Sequence, residues 1–314
     1  MAMIAPVSDK PIVVIAFGGN ALIKQGQEGT AEEQMENIAL PMRKAVGLAS
    51  DYRVVISHGN GPQVGNILLQ QEATDEVARM PVDVVGAMTQ GQIGYFVEHA
   101  LERELAEAGL DRNFLTVITW VEVDPEDPLF QTPTKPIGPV YTEGAAATKI
   151  HPLVRTDKGW RRVIASPKPT AIVQVEEIKR LVAMDWIVIC AGGGGVPVVK
   201  DGRGHRGVEA VIDKDLASAL LAREIGADLF VIATDVHAAA LSWGEPEQEL
   251  LVGDVPLRDL QGYAEEGHFA AGSMGPKIAA MTSFVEATGK RAILCHLDEI
   301  EAGVAGDAGT AVHA

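Results

Sequence analysis

Three lysines carry the chemistry this sequence is equipped for: Lys135, Lys214 and Lys277, each set in a glycine- or proline-rich context. Lys214 lies between two carboxylates in Asp213-Lys214-Asp215, which keep its ammonium charged and allow it to be aimed at a phosphoryl oxygen. Lys135 sits in Pro133-Thr134-Lys135-Pro136-Ile137-Gly138-Pro139, and Lys277 closes the glycine-rich loop that begins at Gly267. Phosphoryl transfer needs positive charge at the transferring group and at the bridging oxygen, with the reactants held in line. Lysines acting as point charges beside glycine N–H groups supply this without a covalent intermediate. The chain has no CxxC pair and no clustered His/Cys set for a transition metal. Any metal is expected to be Mg²⁺ carried in by nucleotide phosphates.

Glycine turns that follow apolar runs supply the N–H groups. Trp186 to Ala191 reads as a strand buried on both faces, and Gly192 to Gly195 follow at once. Such a run lets the backbone turn sharply and approach an anion, which nominates Gly193 and Gly194; a plain structural turn is the competing reading. Ile12 to Phe17 is a second strand, ending in Gly18-Gly19-Asn20 with a helix expected after it. The turn is not GxxxxGK[ST], so a Walker-type loop is excluded. Val54 to Ile56 is a third strand, leading into His58-Gly59-Asn60-Gly61, where His58 and Asn60 either bind a small polar substrate or satisfy backbone groups.

The elements that position these turns alternate along the chain. Helical spacing covers residues 31–49, and residues 83–105 form a small-residue helix suited to close packing at a subunit or substrate contact. Residues 117–123 read as a strand. Residues 124–170 hold eight prolines together with Phe130, Tyr141 and Trp160, and read as a folded, lid-like subdomain that carries Lys135. Arg161 and Arg162 within it either bind anions or brace the loop by salt bridges. Asp213 or Asp215 caps a helix through Leu221. Strands are expected at 229–233 and 292–295, and helices at 254–266 and 278–287. The whole describes one α/β domain, residues 1–314, with an open, mainly parallel sheet and ligands at the carboxyl ends of its strands.

Composition narrows the partners. Lys plus Arg number 26 against 43 Asp plus Glu, a net charge of −17, which argues against nucleic acid and anionic membranes. Cys190 and Cys295 lie in apolar runs and read as buried free thiols of a reducing compartment. No signal-like N-terminus and no apolar run near about 18 residues is present, so a cytoplasmic location is expected.

Taken together, the sequence resembles the carbamate kinases of the amino-acid kinase superfamily over about residues 10–312. The resemblance rests on Ala16-Phe17-Gly18-Gly19-Asn20-Ala21-Leu22, His58 to Asn66, Gly86-Ala87-Met88-Thr89-Gln90-Gly91, Pro133 to Pro139, Trp160-Arg161-Arg162-Val163, Glu209 to Ser218, and Gly267 to Lys277. Several of these motifs distinguish carbamate kinases from acetylglutamate, aspartate and UMP kinases. The resemblance implies a three-layer αβα sandwich, a homodimer, a protruding subdomain over the site, and the reaction ATP + carbamate = ADP + carbamoyl phosphate, often run toward ATP in nitrogen catabolism such as that of arginine. It implies that Gly18, Gly19 and Asn20 line the phosphoryl site, and that Gly59, Asn60 and Gly61 hold the carbamate. Lys135 would reach in from the lid, Lys214 and Lys277 would neutralise the phosphoryl and ADP oxygens, and Asp215 would orient them. Thr234, Asp235, Val236, Ala240, Met274 and Gly275 would belong to the nucleotide pocket. One stretch departs from the family pattern of Thr-Asp-Val-Asp followed by a tyrosine. Here it reads Thr234-Asp235-Val236-His237-Ala238-Ala239-Ala240, which points to a changed base pocket. Two other readings use the same residues: an enzyme acting on a related carboxylate or carbamoyl compound, and a non-catalytic nucleotide-binding partner.

Overall fold

Ile12–Phe17 is apolar and buried at all six positions, so this strand needs cover on both faces. It receives it in a computed structural model that describes residues 8–24, 26–147, 151–156, 159–243, 245, 247–270 and 272–314. The strand lies inside an eight-stranded sheet, between Leu229–Thr234 and Arg53–His58. Beyond Arg53–His58 come Ile187–Ile189 and Phe114–Thr116. Beyond Leu229–Thr234 come Arg291–His296, Thr310–His313 and Gly253–Pro256. Every pairing is parallel except that of Arg291–His296 with Thr310–His313.

Alternate residues of each central strand face opposite layers, as the two-residue period requires. Val14, Ala16, Val55, Phe230 and Ile232 pack with Leu221, Met281 and Phe284, from helices Lys214–Glu224 and Met274–Thr288. Val13, Ile15, Phe17, Ile56 and Val231 pack with Ile38, Met42, Ile93 and Leu101, from helices Ala31–Leu48 and Val82–Ala108. The result is the expected αβα sandwich. Its carboxyl strand ends, at Phe17, His58, Ile189 and Thr234, open on one side.

A four-stranded sheet, in the order His205–Gly207, Val196–Lys200, Trp120–Val123 and Pro169–Ile172, stands beside the main one. Between Val123 and Pro169 the chain leaves to form a separate antiparallel sheet of Lys135–Tyr141, Gly159–Ile164 and Leu153–Thr156. This excursion rests on helix Gly61–Glu72: a Cβ on Gly65 would meet Gly138 Cα at 3.5 Å, and the Tyr141 hydroxyl donates to Glu72 Oε1 at 2.9 Å. Residues 148–150 and 157–158 of the excursion lie outside the described residues.

Several sequence expectations need correction. The turn at Gly18-Gly19-Asn20 enters only a single 3-10 turn, Gly19–Ala21; the helix waits until Ala31, where Thr30 and Glu33 form a capping box. Residues 254–266 are not one helix. Gly253–Pro256 is an edge strand paired with Thr310–His313, and the helix starts only at Leu257 because Pro256, at its N-cap, disfavours the helical conformation at Val255. The strand expected at 117–123 begins only at Trp120; Phe114–Thr116 before it belongs to the main sheet, and residues 117–119 cross to the smaller one. The crossing at Thr119 is fixed by Gln90, whose Oε1 accepts from Thr119 N at 2.8 Å and whose Nε2 donates to Thr119 O at 3.2 Å.

Candidate active site

The turns after Phe17, His58 and Thr234 enclose a cavity of about 450 Å³. Gly18, Gly19, Gly59, Asn60 and Gly61 line it. Gly18 N donates to Ala233 O at 2.9 Å and Gly59 N to Phe17 O at 3.0 Å, tying each turn to the neighbouring strand. A Cβ on Gly59 would lie 2.9 Å from Gly19 N, so these two turns touch backbone to backbone and glycine is required there. Asn20 lies in the first turn; its side chain is outside the described residues.

Three helices begin at the cavity wall: Gly61–Glu72 with Gly61 and Pro62, Lys214–Glu224 with Lys214 and Asp215, and Met274–Thr288 with Pro276 and Lys277. Their N-terminal N–H groups favour an anion. The three lysines converge on the same space. Lys214 Nζ lies 2.8 Å from Asp215 Oδ1 and donates to Phe17 O at 3.1 Å; Lys277 Nζ lies 2.9 Å from Asp215 Oδ2. Lys135 Nζ reaches Asp213 Oδ2 at 2.8 Å. Asp213 also caps helix Lys214–Glu224, its Oδ1 accepting from Asp215 N at 2.9 Å and Leu216 N at 3.4 Å. One carboxylate thus caps the helix and tethers the excursion.

Asp215 is 4% exposed. Burial opposes its ionisation, but the Lys214 and Lys277 ammonium groups outweigh that and hold its carboxyl at about 2. Lys214 is pulled below its ordinary value, first by burial and further by the Lys277 charge, against the attraction of Asp215 and Asp213. His58 is buried, and desolvation brings it down to about 4, the Lys214 charge adding to this and the Gly59 carbonyl opposing it. Its Nδ1 lies 3.0 Å from Gly59 O. His58 is therefore a neutral structural residue behind the cavity, while Asn60, whose Nδ2 donates to Thr89 Oγ1 at 2.8 Å, lines it.

The glycine run acts mostly in packing. A Cβ on Gly192 would fall 2.3 Å from His58 Nε2, on Gly193 2.0 Å from Asn60 Nδ2, and on Gly194 2.3 Å from Ile212 O. Gly194 N and Gly195 N are spent on Ala191 O and Gly192 O, at 3.1 and 3.0 Å. Gly193 lines the cavity; Gly194 is buried behind it. The phosphate cradle expected from this run reduces to Gly193.

Thr234 and Asp235 line the cavity, with Thr234 Oγ1 donating to Asp235 Oδ1 at 3.0 Å. The other residues expected in a nucleotide pocket do not line it. Val236 and Met274 are half-buried against the core, Gly275 N donates to Ala270 O at 2.9 Å, and Ala240 is 1% exposed in the hairpin of Ala239–Leu241 with Glu249–Leu251. His237 stacks on His296 with ring centroids 4.8 Å apart, and its Nδ1 lies 3.0 Å from Glu299 Oε1. Gly272 and Ser273 of the glycine-rich loop line the cavity, whereas Ala271 is outside the described residues.

Sequence reasoning missed Asp213 as the partner of Lys135, although its helix-cap position was visible. It also missed Pro62, Ile212 and Leu297 on the wall. For the wall residues no local pattern signals a cavity.

Residues 11–296 match the model of the amino acid kinase family. The chain is 49% identical to the carbamate kinase of Pyrococcus furiosus, over 96% of this chain and 98% of that one. It is 44% identical to the carbamate kinase of Haemophilus influenzae, over 96% of each. Among solved structures, the carbamate kinase of Giardia lamblia bound to AMP-PNP has a TM-score of 0.90 and 38% identity, covering 97% of this chain and 99% of that one.

Proposed function

The chain belongs to the carbamate kinases of the amino acid kinase family, and on that premise we propose that it catalyses ATP + carbamate = ADP + carbamoyl phosphate. The observation that carries this reading is the convergence of Lys135, Lys214 and Lys277 on one cavity, each held by a carboxylate, where three helices begin. This is an anion-binding site built for charge stabilisation.

A carbamate oxygen attacks the γ-phosphorus; the new O–P bond forms as the bond to the β,γ-bridging oxygen breaks, and the electron pair leaves on ADP. Carbamate is already an anion, so no general base is needed. Lys214 and Lys277 offset charge on the transferring group and the ADP oxygens, with Asp215 fixing their separation. Gly18, Gly19, Asn20 and Gly193 supply backbone around the phosphoryl group, and Gly59, Asn60 and Gly61 the acceptor side. Lys135 enters from residues 124–170, which act as the lid. Thr234 and Asp235 lie toward the nucleotide, with Val236, Ala240, Met274 and Gly275 behind them. Mg²⁺ would be held mainly by nucleotide phosphates and would offset their charge: Asp213 and Asp215 are committed to lysines, and among the described residues no group of three His, Cys, Asp or Glu side chains could hold a metal.

The downhill direction is from carbamoyl phosphate, a mixed anhydride, to ATP, and we place the enzyme in ATP synthesis from nitrogen catabolism, arginine breakdown included. Two unpaired buried cysteines support a reducing cytoplasm as its location. A homodimer is supported by Val84, Met88 and Tyr95, exposed by 37%, 47% and 55% along one face of helix Val82–Ala108.

The test is ATP formation from ADP, Mg²⁺ and carbamoyl phosphate, with GDP in parallel. Robust ATP synthesis supports the reading. Turnover with GDP alone assigns the change at His237–Ala240 to base choice. A folded protein silent with both overturns it in favour of a related acceptor or a binding role.

A further inference from the structure

The three lysines of the cavity each have a carboxylate partner, but a fourth cation on the wall does not. Arg161 lines the cavity from strand Gly159–Ile164 of the excursion. Its Nη2 donates to Gly138 O at 3.1 Å, and its Nε is buried with no hydrogen-bond partner. Among the described residues no carboxylate pairs with it; burial alone bears on its proton affinity and lowers it. The adjacent Arg162 shares an unpartnered, buried Nε but has a counter-ion, its Nη2 lying 3.4 Å from Glu209 Oε2. A half-buried guanidinium whose buried Nε is unsatisfied and which has no counter-ion is costly to maintain unless something anionic completes it.

The surroundings say which anion. Register between Lys135–Tyr141 and Gly159–Ile164 shifts after Ile137, and Gly138, at φ +70°, turns its carbonyl to Arg161. The same Gly138 packs on Gly65 of the helix that opens with Gly61, the acceptor wall of the cavity. Lys277 comes from the other wall, beside Gly272 and Ser273. The guanidinium, with Nε unpartnered and Nη2 on Gly138 O, is thus carried by the lid beside the helix that opens with Gly61. A planar guanidinium matches a planar O–C–O group or two phosphoryl oxygens in a way that a lysine does not.

Resting on the kinase reading above, we propose that Arg161 binds the acceptor directly, its guanidinium holding the carbamoyl or carboxylate end of carbamoyl phosphate or carbamate and coupling lid closure to acceptor binding. Arg161 is then a specificity-determining residue, and the excursion contributes two cations to the site, Lys135 and Arg161.

The test compares wild type with Arg161→Lys and Arg161→Gln in ATP synthesis, titrating carbamoyl phosphate and ADP separately. Both variants are expected to raise KM for carbamoyl phosphate about tenfold or more, with KM for ADP changed less than about twofold, Lys failing to rescue because it lacks the fork. Melting temperature separates this from bracing of the excursion. Unchanged KM for carbamoyl phosphate with a lowered melting temperature overturns the proposal, as does a rise confined to KM for ADP. A wild type that makes no ATP overturns the kinase reading and this inference together; an active wild type with indifferent Arg161 variants overturns this inference alone.

Discussion

Lys277 Nζ sits 2.9 Å from Asp215 Oδ2, across 62 residues of sequence, and so ties the starts of two helices to one carboxylate. The same carboxylate takes Lys214 on its other oxygen. The two partners should respond differently to removal. Lys277→Ala leaves Asp215 still paired with Lys214, and it is expected to lower kcat by about 10²- to 10³-fold while the protein stays folded. Asp215→Ala leaves two ammonium groups facing each other without a counter-ion, at a cost of about 3–5 kcal/mol in stability as well as lost turnover. Urea unfolding and steady-state rates on both variants check this. A Lys277→Ala protein that unfolds, or that keeps wild-type rates, removes Lys277 from the chemistry.

The glycines of the site divide by what surrounds them. A Cβ at Gly61 would meet nothing within 4 Å, whereas at Gly193, with φ +65°, it would collide with Asn60. Gly193→Ala is expected to cost about 1–3 kcal/mol through backbone strain and to displace Asn60 from Thr89. Gly61→Ala should stay within about 0.5 kcal/mol of wild type while weakening carbamoyl phosphate binding, because the new methyl group enters the cavity wall. Equal loss of stability in the two variants would show that neither is read correctly from its neighbours.

What was legible in the sequence follows from which interactions are local. Ile12–Phe17 and Leu229–Thr234 announce buried parallel strands through unbroken apolar runs, and Lys214 announces itself through the carboxylates beside it. The pairing of Lys135 with Asp213 spans 78 residues and depends on how the excursion folds back, which no spacing encodes. Gly192–Gly195 misled for a related reason. A glycine run signals close approach without saying to what, and three of its four members approach His58, Asn60 and Ile212. Ala240 departs from the tyrosine of the family pattern, and it is buried where its hairpin pairs it with Leu250.

The homodimer reading makes its own prediction. Val84, Met88 and Tyr95 recur at helical spacing on Val82–Ala108, and Tyr95 also meets His99 edge-on at 4.8 Å. Met88→Asp combined with Tyr95→Asp is expected to convert the protein to monomer in sedimentation velocity, since burying two carboxylates in an apolar contact is strongly unfavourable. An unchanged sedimentation coefficient would place the interface elsewhere.

Chelation should separate catalysis from folding. With Asp213 and Asp215 committed to lysines, EDTA is expected to abolish turnover while leaving the melting temperature of the nucleotide-free protein unchanged. A fall in melting temperature would reveal a metal bound by the protein itself.

Acid should act on this protein in two steps. His58 has its folded value lowered from 6.5 to about 4 by burial, so the folded state disfavours the proton that the unfolded state accepts. Its contribution to stability is present in full above pH 6.5 and is lost as pH falls from 6.5 toward 4, a loss of up to about 3 kcal/mol. Asp215, lowered from 3.8 to about 2, adds a second loss, beginning below 3.8 and completed only as pH falls through about 2. Unfolding free energies measured from pH 8 to 3 for wild type and His58→Gln test the order. The variant lacks the titrating imidazole, so its stability should be lower at pH 8 from disturbed packing against Gly192 but flatter between 6.5 and 4, with the acid limb of Asp215 retained. A wild type whose stability does not fall more steeply than the variant's across that window would mean that His58 takes up its proton inside the folded protein.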